Sequence, residues 1–342
     1  MSVKRLLTLF SLCLTILTSN HLAAQDIHFS QFWASPQTLN PALTGLTPCT
    51  FRAGVNYRNQ WGSVVGPSSF QTYGASFDAG LFRGRMKGNM LGLGVNLFND
   101  KSGDGILRNL TASLGLAYHQ DLGNEDHYLS FGVQMGMVQK SVDPTRFVFE
   151  DMIDQNGVIP GAVTADVLAN DQFTYLDINA GVHWQSTFTD NFQMYAGGAI
   201  FHLTEPVESF LGATDNVLNR RWVGHGGMKI GVSSNVVLLP SFIYMTQTER
   251  SNQEILGGTS IGFAIGETSN FYVGGYYRND DAVIASTGFD FNNVQFGMSY
   301  DINTSDLSVV SGNKGGLEMS LIYFGCLQTI SRPKRVIDCP RF

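Results

Sequence analysis

Apolar and polar residues alternate with period two over many short stretches of this chain, the signature of β-strands with two unlike faces. Phe51, Ala53, Val55 and Tyr57 share one face, and Arg52, Gly54, Asn56 and Arg58 share the other. Leu129, Phe131, Val133, Met135 and Met137 alternate with Ser130, Gly132, Gln134 and Gly136. The same pattern predicts fourteen strands, over 50–60, 70–80, 89–100, 107–121, 128–140, 172–186, 191–203, 220–233, 235–248, 253–266, 270–279, 281–290, 292–302 and 315–325. The segments at 191–203, 253–266, 270–279 and 281–290 alternate less cleanly. Pro240 inside its strand predicts a bulge.

One face is aliphatic and aromatic, and the other is Gly, Ser, Asn and Gln with occasional charges. That division suits lipid outside and a polar lumen inside. Connection lengths agree. With the N-terminus in the periplasm, most even-numbered turns are short (122–127, 187–190, around Ser234, 267–269), and 81–88 is the longest of them. The odd connections include 141–171, 204–219 and 303–314. Short periplasmic turns and long outer loops are the habit of outer-membrane barrels. The expected fold is therefore all-β, a transmembrane antiparallel β-barrel of about 14 strands with short periplasmic N- and C-terminal segments.

Composition fits. Charged residues make up 14%, aromatics 12%, and Gly is 38 of 342, against about 25% charged and about 7% Gly in soluble domains. At the N-terminus, Lys4 and Arg5 precede the apolar stretch 6–18, and Ala23 and Ala24 follow it. This is the layout of a cleaved signal peptide at 1–24, which exports the chain. Cleavage takes Lys4 and Arg5 from the 21 basic residues, leaving 19 against 28 acidic ones. An acidic exported chain whose basic clusters, Arg83–Lys87 and Arg332–Arg335, are both short does not fit nucleic acid as a partner. The remaining regions are a periplasmic or plug segment at 25–48, the barrel at 49–325 and a periplasmic tail at 326–342.

Chemistry-bearing motifs are sparse. Zinc-protease and phosphate-loop patterns are absent. His119, His183 and His225 fall singly on the polar faces of their strands, and no cofactor is implied. Six lumen charges, Arg52, Arg58, Asp78, Asp177, Lys229 and Glu318, either tune a pore or pair with one another. The acidic loop 141–171 lacks the ordered spacing of a calcium loop. Trp61, Trp184 and Trp222 lie at or near strand ends and suit an interfacial girdle. Three cysteines follow the signal region, and Cys326 and Cys339, close in sequence, are the expected disulfide.

Several segments carry a resemblance: 26–32 (Asp-Ile-His-Phe-Ser-Gln-Phe), 40–45 (Asn-Pro-Ala-Leu-Thr-Gly), 57–61 (Tyr-Arg-Asn-Gln-Trp), 143–151, and the closing 339–342 (Cys-Pro-Arg-Phe). Together they resemble the PorP/SprF family of the Bacteroidetes type IX secretion system, over essentially the whole mature chain. The resemblance implies a non-enzymatic integral outer-membrane protein assisting export or surface anchoring of cargo with C-terminal sorting domains, some of it gliding adhesins. The implied partners are outer-membrane lipid, the type IX translocon, periplasmic ring proteins and that cargo. A passive porin or small-solute transporter is the alternative on the same barrel. The two termini are expected to form a periplasmic docking face through Asp26, Phe29, Gln31, Arg332, Lys334, Arg335 and Arg341.

Overall fold

A strand whose alternate side chains are lipid-soluble can cross a bilayer only if its backbone N–H and C=O groups are all paired, which requires the sheet to close on itself. The computed structural model shows that closure. It describes residues 29–103, 107–123, 126–155, 157–162, 164, 169–247, 253–306 and 308–327. The signal region, Asp26, and the tail residues Arg332, Lys334, Arg335, Cys339 and Arg341 lie outside the described residues.

Fourteen antiparallel strands form one closed barrel: β1 Phe51–Gln60, β2 Phe70–Met86, β3 Asn89–Ser102, β4 Leu107–Gly123, β5 His127–Val142, β6 Gln172–Thr189, β7 Phe192–Phe201, β8 Arg221–Ser233, β9 Val236–Gln247, β10 Gln253–Ala264, β11 Ser269–Arg278, β12 Ala282–Phe291, β13 Val294–Asn303 and β14 Lys314–Gly325. Each pairs with its sequence neighbours. The ring closes between β1 and β14, from Phe51↔Gly325 to Gln60↔Gly316. Ten residues at about 3.3 Å each, tilted as barrel strands are, span the hydrocarbon layer. The shortest strands, such as β1, have ten residues. β2 to β6 are longer, and β6 reaches 18.

The burial pattern follows the alternation. Arg52, Asn56 and Arg58 are buried inside while Val55 is exposed outside, and the same holds for Gln134 against Val133 and Met135. The expected turn at 81–88 is shorter than the sequence indicated. β2 runs on to Met86, and only Lys87 and Gly88 turn the chain, both at positive φ. This is a two-residue hairpin turn matched to strand twist. The expected bulge at Pro240 is also corrected. β9 stays in register with β10 through Pro240↔Thr259. On the β8 side, Gly227↔Ser241 and Ile230↔Leu238 keep one register, and the shift lies instead at Gly231/Ser233. Pro240 lacks an N–H, so it interrupts a ladder without adding a residue to it.

Candidate functional site: a plugged lumen beneath a folded outer rim

Residues 29–47 lie inside the barrel, and nearly all of them are buried. The segment is built from three short helical turns, Phe32–Ala34, Pro36–Leu39 and Pro41–Leu43. Asn40 caps the third, its side chain accepting from the Ala42 N–H, and Pro41 supplies a preset φ at the first position. The segment therefore carries no period-two signal, and its polar groups find the wall.

At one end Ser30 and Gln31 donate their backbone N–H groups to the Glu318 carboxylate at 2.8 and 2.9 Å. The Ser30 hydroxyl donates to Asp301 at 2.8 Å and accepts from Arg58 at 2.7 Å and Arg278 at 2.6 Å. Arg58 pairs with both Glu318 and Asp301 at 3.2 Å, and Arg278 pairs with Asp301 at 3.1 Å. Arg58, Arg278, Asp301 and Glu318 are each 5% exposed or less. Charges at this depth persist only when paired and hydrogen-bonded, and here the segment's own serine completes the pairing. The Gln31 side chain adds bonds to Ser299 at 3.3 Å and to the Glu318 carbonyl at 3.0 Å, and it accepts from Ser320 at 2.8 Å.

In the middle, Asn40 Nδ2 donates to the carbonyls of Val182 and Gly198 at 2.9 and 3.3 Å and meets His225 Nε2 at 3.1 Å. His225 stacks on His183, their centroids 5.4 Å apart. Farther along, His119 meets the Thr44 carbonyl at 2.9 Å and the Ser130 hydroxyl at 2.7 Å. Asp78, itself ion-paired to Arg52 at 2.6 Å, accepts from the Gly45 N–H at 2.7 Å. Two wall glycines are required by this close approach. A Cβ on Gly92 would strike the Thr44 carbonyl, and one on Gly132 would strike the backbone of Pro41 and Ala42.

The opposite side of the segment is apolar. Phe32, Trp33, Leu39, Leu43 and Leu46 join a buried cluster with Ile243, Leu256, Tyr276 and Ile284 of the wall. Trp33 lies 5.2 Å from Tyr276, centroid to centroid. These inward-facing apolar residues account for the blurred alternation of β10 to β12.

The segment divides the lumen. Toward the short turns lies a cavity of about 340 Å³ lined by Lys229, Tyr195, Gln193 and Leu239 among others. Toward the long loops lies a smaller one of about 90 Å³. The rim above it is folded. Loop 202–220 is held to β5 and β6 by Glu208, which pairs with Lys140 at 2.6 Å and accepts from the Tyr175 hydroxyl at 2.5 Å. Phe210 packs on Phe173 with centroids 4.7 Å apart. Asp143 opens loop 143–171. The Thr145 hydroxyl, 2.6 Å away, and the Thr145 N–H at 3.1 Å hold its carboxyl below the usual carboxylate range. Leu211, Val309 and Val310 stand 71%, 88% and 81% exposed on the outer loops.

The expected site residues are placed as follows. Phe29 and Gln31 are 6% and 0% exposed inside the lumen. They present nothing to a periplasmic partner, because the wall has taken up their bonding and packing. The disulfide expectation is also corrected. Cys326 is bonded to Cys49, with Cα atoms 4.5 Å apart, and not to Cys339. Barrel closure brings Phe51 opposite Gly325, so the residues just beyond that pair meet across the seam despite a sequence separation of 277. Of the six lumen charges, Arg52, Asp78, Arg58 and Glu318 pair as described, and Asp177 meets His202 at 3.1 Å. Lys229 lines the larger cavity. Trp222 is exposed at a strand end, whereas Trp33 is buried in the lumen. Arg278 and Asp301 are not among the residues the sequence singles out. Their lumen-facing polarity was a signal, but nothing in it named the segment they hold.

These features define a closed outer-membrane barrel with an internal plug. Residues 21–323 match the family described as type IX secretion system membrane protein PorP/SprF, and the chain belongs to that family. The closed barrel and the membrane-protein family point to an outer-membrane location, and the family is not an enzyme family. Among solved structures, the Pseudomonas putida toluene transporter TodX is similar at 9% identity and TM-score 0.49, over 87% of this chain and 94% of that one. The Ralstonia pickettii toluene transporter TbuX is similar at 9% identity and TM-score 0.46, over 85% and 92%. The CymD monoaromatic hydrocarbon channel is similar at 10% identity and TM-score 0.48, over 86% and 93%. None of the curated proteins matches the sequence at a significant level.

Proposed function

We propose that this protein is a non-enzymatic component of the type IX secretion system that assists export or surface anchoring of proteins with C-terminal sorting domains, gliding adhesins among them. The observation that carries the reading is family membership over residues 21–323. The plugged lumen supports it against the porin alternative, since Ser30, Gln31, Asn40 and Gly45 tie the segment across the pore. In this reading the barrel is a platform. The outer loops 143–171 and 202–220 meet cargo or translocon, and the chain beyond Cys326, with Arg332, Lys334, Arg335 and Arg341, docks periplasmic ring proteins at the short-turn end. Asp26 precedes the plug and belongs to the same expectation of terminal docking. Export relies on cleavage of the signal peptide at 1–24.

The test is affinity purification of the tagged full-length protein from its native outer membrane in mild detergent, followed by mass spectrometry. Recovery of type IX components or of a protein with a C-terminal sorting domain is expected. Reproducible recovery of the barrel alone would favour the porin reading. A second sample truncated after Leu327 keeps the Cys49–Cys326 bond and should lose the periplasmic partners while the barrel stays folded.

A further inference from the structure

The smaller cavity, above the plug, has a chemistry unlike the rest of the lumen. Its wall on β3, β5 and β6 carries amide and carboxylate side chains that orient one another. Asn179 Nδ2 donates to Gln134 Oε1 at 3.1 Å. The His202 N–H donates to Asn179 Oδ1 at 3.0 Å. The His202 ring holds Asp177 Oδ2 at 3.1 Å. This leaves Asp177 Oδ1 and, on β3, Asn96 Oδ1 without a hydrogen-bond partner among the described residues. Asp177 and Asn96 are 5% and 2% exposed, and both line the cavity. Buried acceptors in such positions ordinarily have a partner.

The remaining lining mixes the rings of Phe29, Phe98 and Phe201 with Asn109, Thr111, Ser113 and Arg221. Phe98 lies 5.8 Å from the plug's Phe29, centroid to centroid. Across the cavity the Arg221 guanidinium sits 4.4 Å over the Phe201 ring. The two open acceptors and the Phe98 ring suit a ligand with hydroxyl donors and one C–H face.

Other ligand classes fit less well. A divalent cation prefers several oxygen ligands with carboxylates among them, and Asp177, the lining carboxylate, already serves His202. A peptide brings a carbonyl acceptor for each N–H donor, which would oppose the wall's own acceptors.

We propose that this outer vestibule binds a terminal neutral sugar residue, its hydroxyls donating to Asp177 and Asn96 and its apolar face resting on Phe98. The inference stands independently of the type IX reading. The sugar's source is either a free saccharide or the end of a cell-surface glycan.

The test uses the full-length protein in an amine-oxide detergent, so that no sugar headgroup competes. It is probed first on an array of neutral and anionic glycans, then by saturation-transfer NMR with methyl hexosides. Binding of at least one neutral terminal hexose is expected, weakened tenfold or more by Asp177→Ala and by Asn96→Ala. Leu114→Ala, on the lipid face, should leave it unchanged. Unaltered heat-modifiable mobility on gels confirms that each variant folds. If Asp177→Ala does not fold, Asn96→Ala decides alone. Methyl hexosides competing as well as the immobilised glycan would identify a free sugar as the ligand. Binding confined to longer glycans would identify a surface polysaccharide end. No neutral sugar bound, only anionic sugars bound, or binding indifferent to both variants overturns the proposal.

Discussion

The wall at β2 to β6 and the wall at β9 to β12 are made of the same kind of strand, yet their inner faces differ. The first presents Asp78, Asn96, His119, Gln134, Asp177 and Asn179 to the lumen. The second presents Ile243, Leu256, Tyr276 and Ile284. The first meets the plug mostly through backbone carbonyls and N–H groups, and beside it the lumen stays partly open. The second meets the plug through Trp33, Phe32 and Leu39 and packs as a core. A barrel's outer face is set by lipid all the way round. Its inner face records what occupies the lumen, side by side with where water remains.

The comparison can be broken first at the plug itself. Removing residues 29–47 should turn a non-conducting barrel into one with discrete single-channel currents in planar bilayers. Equal currents from both proteins would mean that ions already pass the plug. Next in size is Asp78→Ala, which strands the buried Arg52. Loss of one partner of such a pair costs about 3–5 kcal/mol, to be read as a lowered urea midpoint in lipid vesicles. On the apolar side, Ile243→Ala should cost about 2–5 kcal/mol by the same assay, because it opens a cavity against the plug. Leu114→Ala on the lipid face should cost less, since lipid can fill the vacated space. Similar losses at the two sites would erase the distinction between an inner core and a lipid-facing surface. The smallest effect is expected from Asn40→Ala, about 1–2 kcal/mol from a lost cap; it leaves the Val182 and Gly198 carbonyls without that donor.

The wall was legible in the sequence to a degree the plug was not. Fourteen strands and their approximate limits followed from period two, because lipid imposes that period on every strand, and the short-turn end followed from connection lengths. Four segments alternated poorly, and in β10 to β12 the reason is now visible. Leu256, Tyr276 and Ile284 point inward to the plug and so look misplaced when only lipid and water are considered. The plug left no periodic trace, since its helical turns are three or four residues long and depend on tertiary contacts. Residues that carried the family resemblance, Ser30, Gln31, Asn40 and Arg58, prove to be those that fasten the plug. The disulfide was misassigned because proximity along the chain is a poor guide in a closed sheet, where the first and last strands are neighbours.

The Cys49–Cys326 bond makes residues 49–326 a covalent circle, from which the plug and the tail both depart at one point. A protease that nicks loop 143–171 would therefore leave a single molecule, separable into two pieces only after reduction. Any pull exerted between the tail and the plug would be borne by that one clasp, and the β1–β14 seam beside it would feel little of the load.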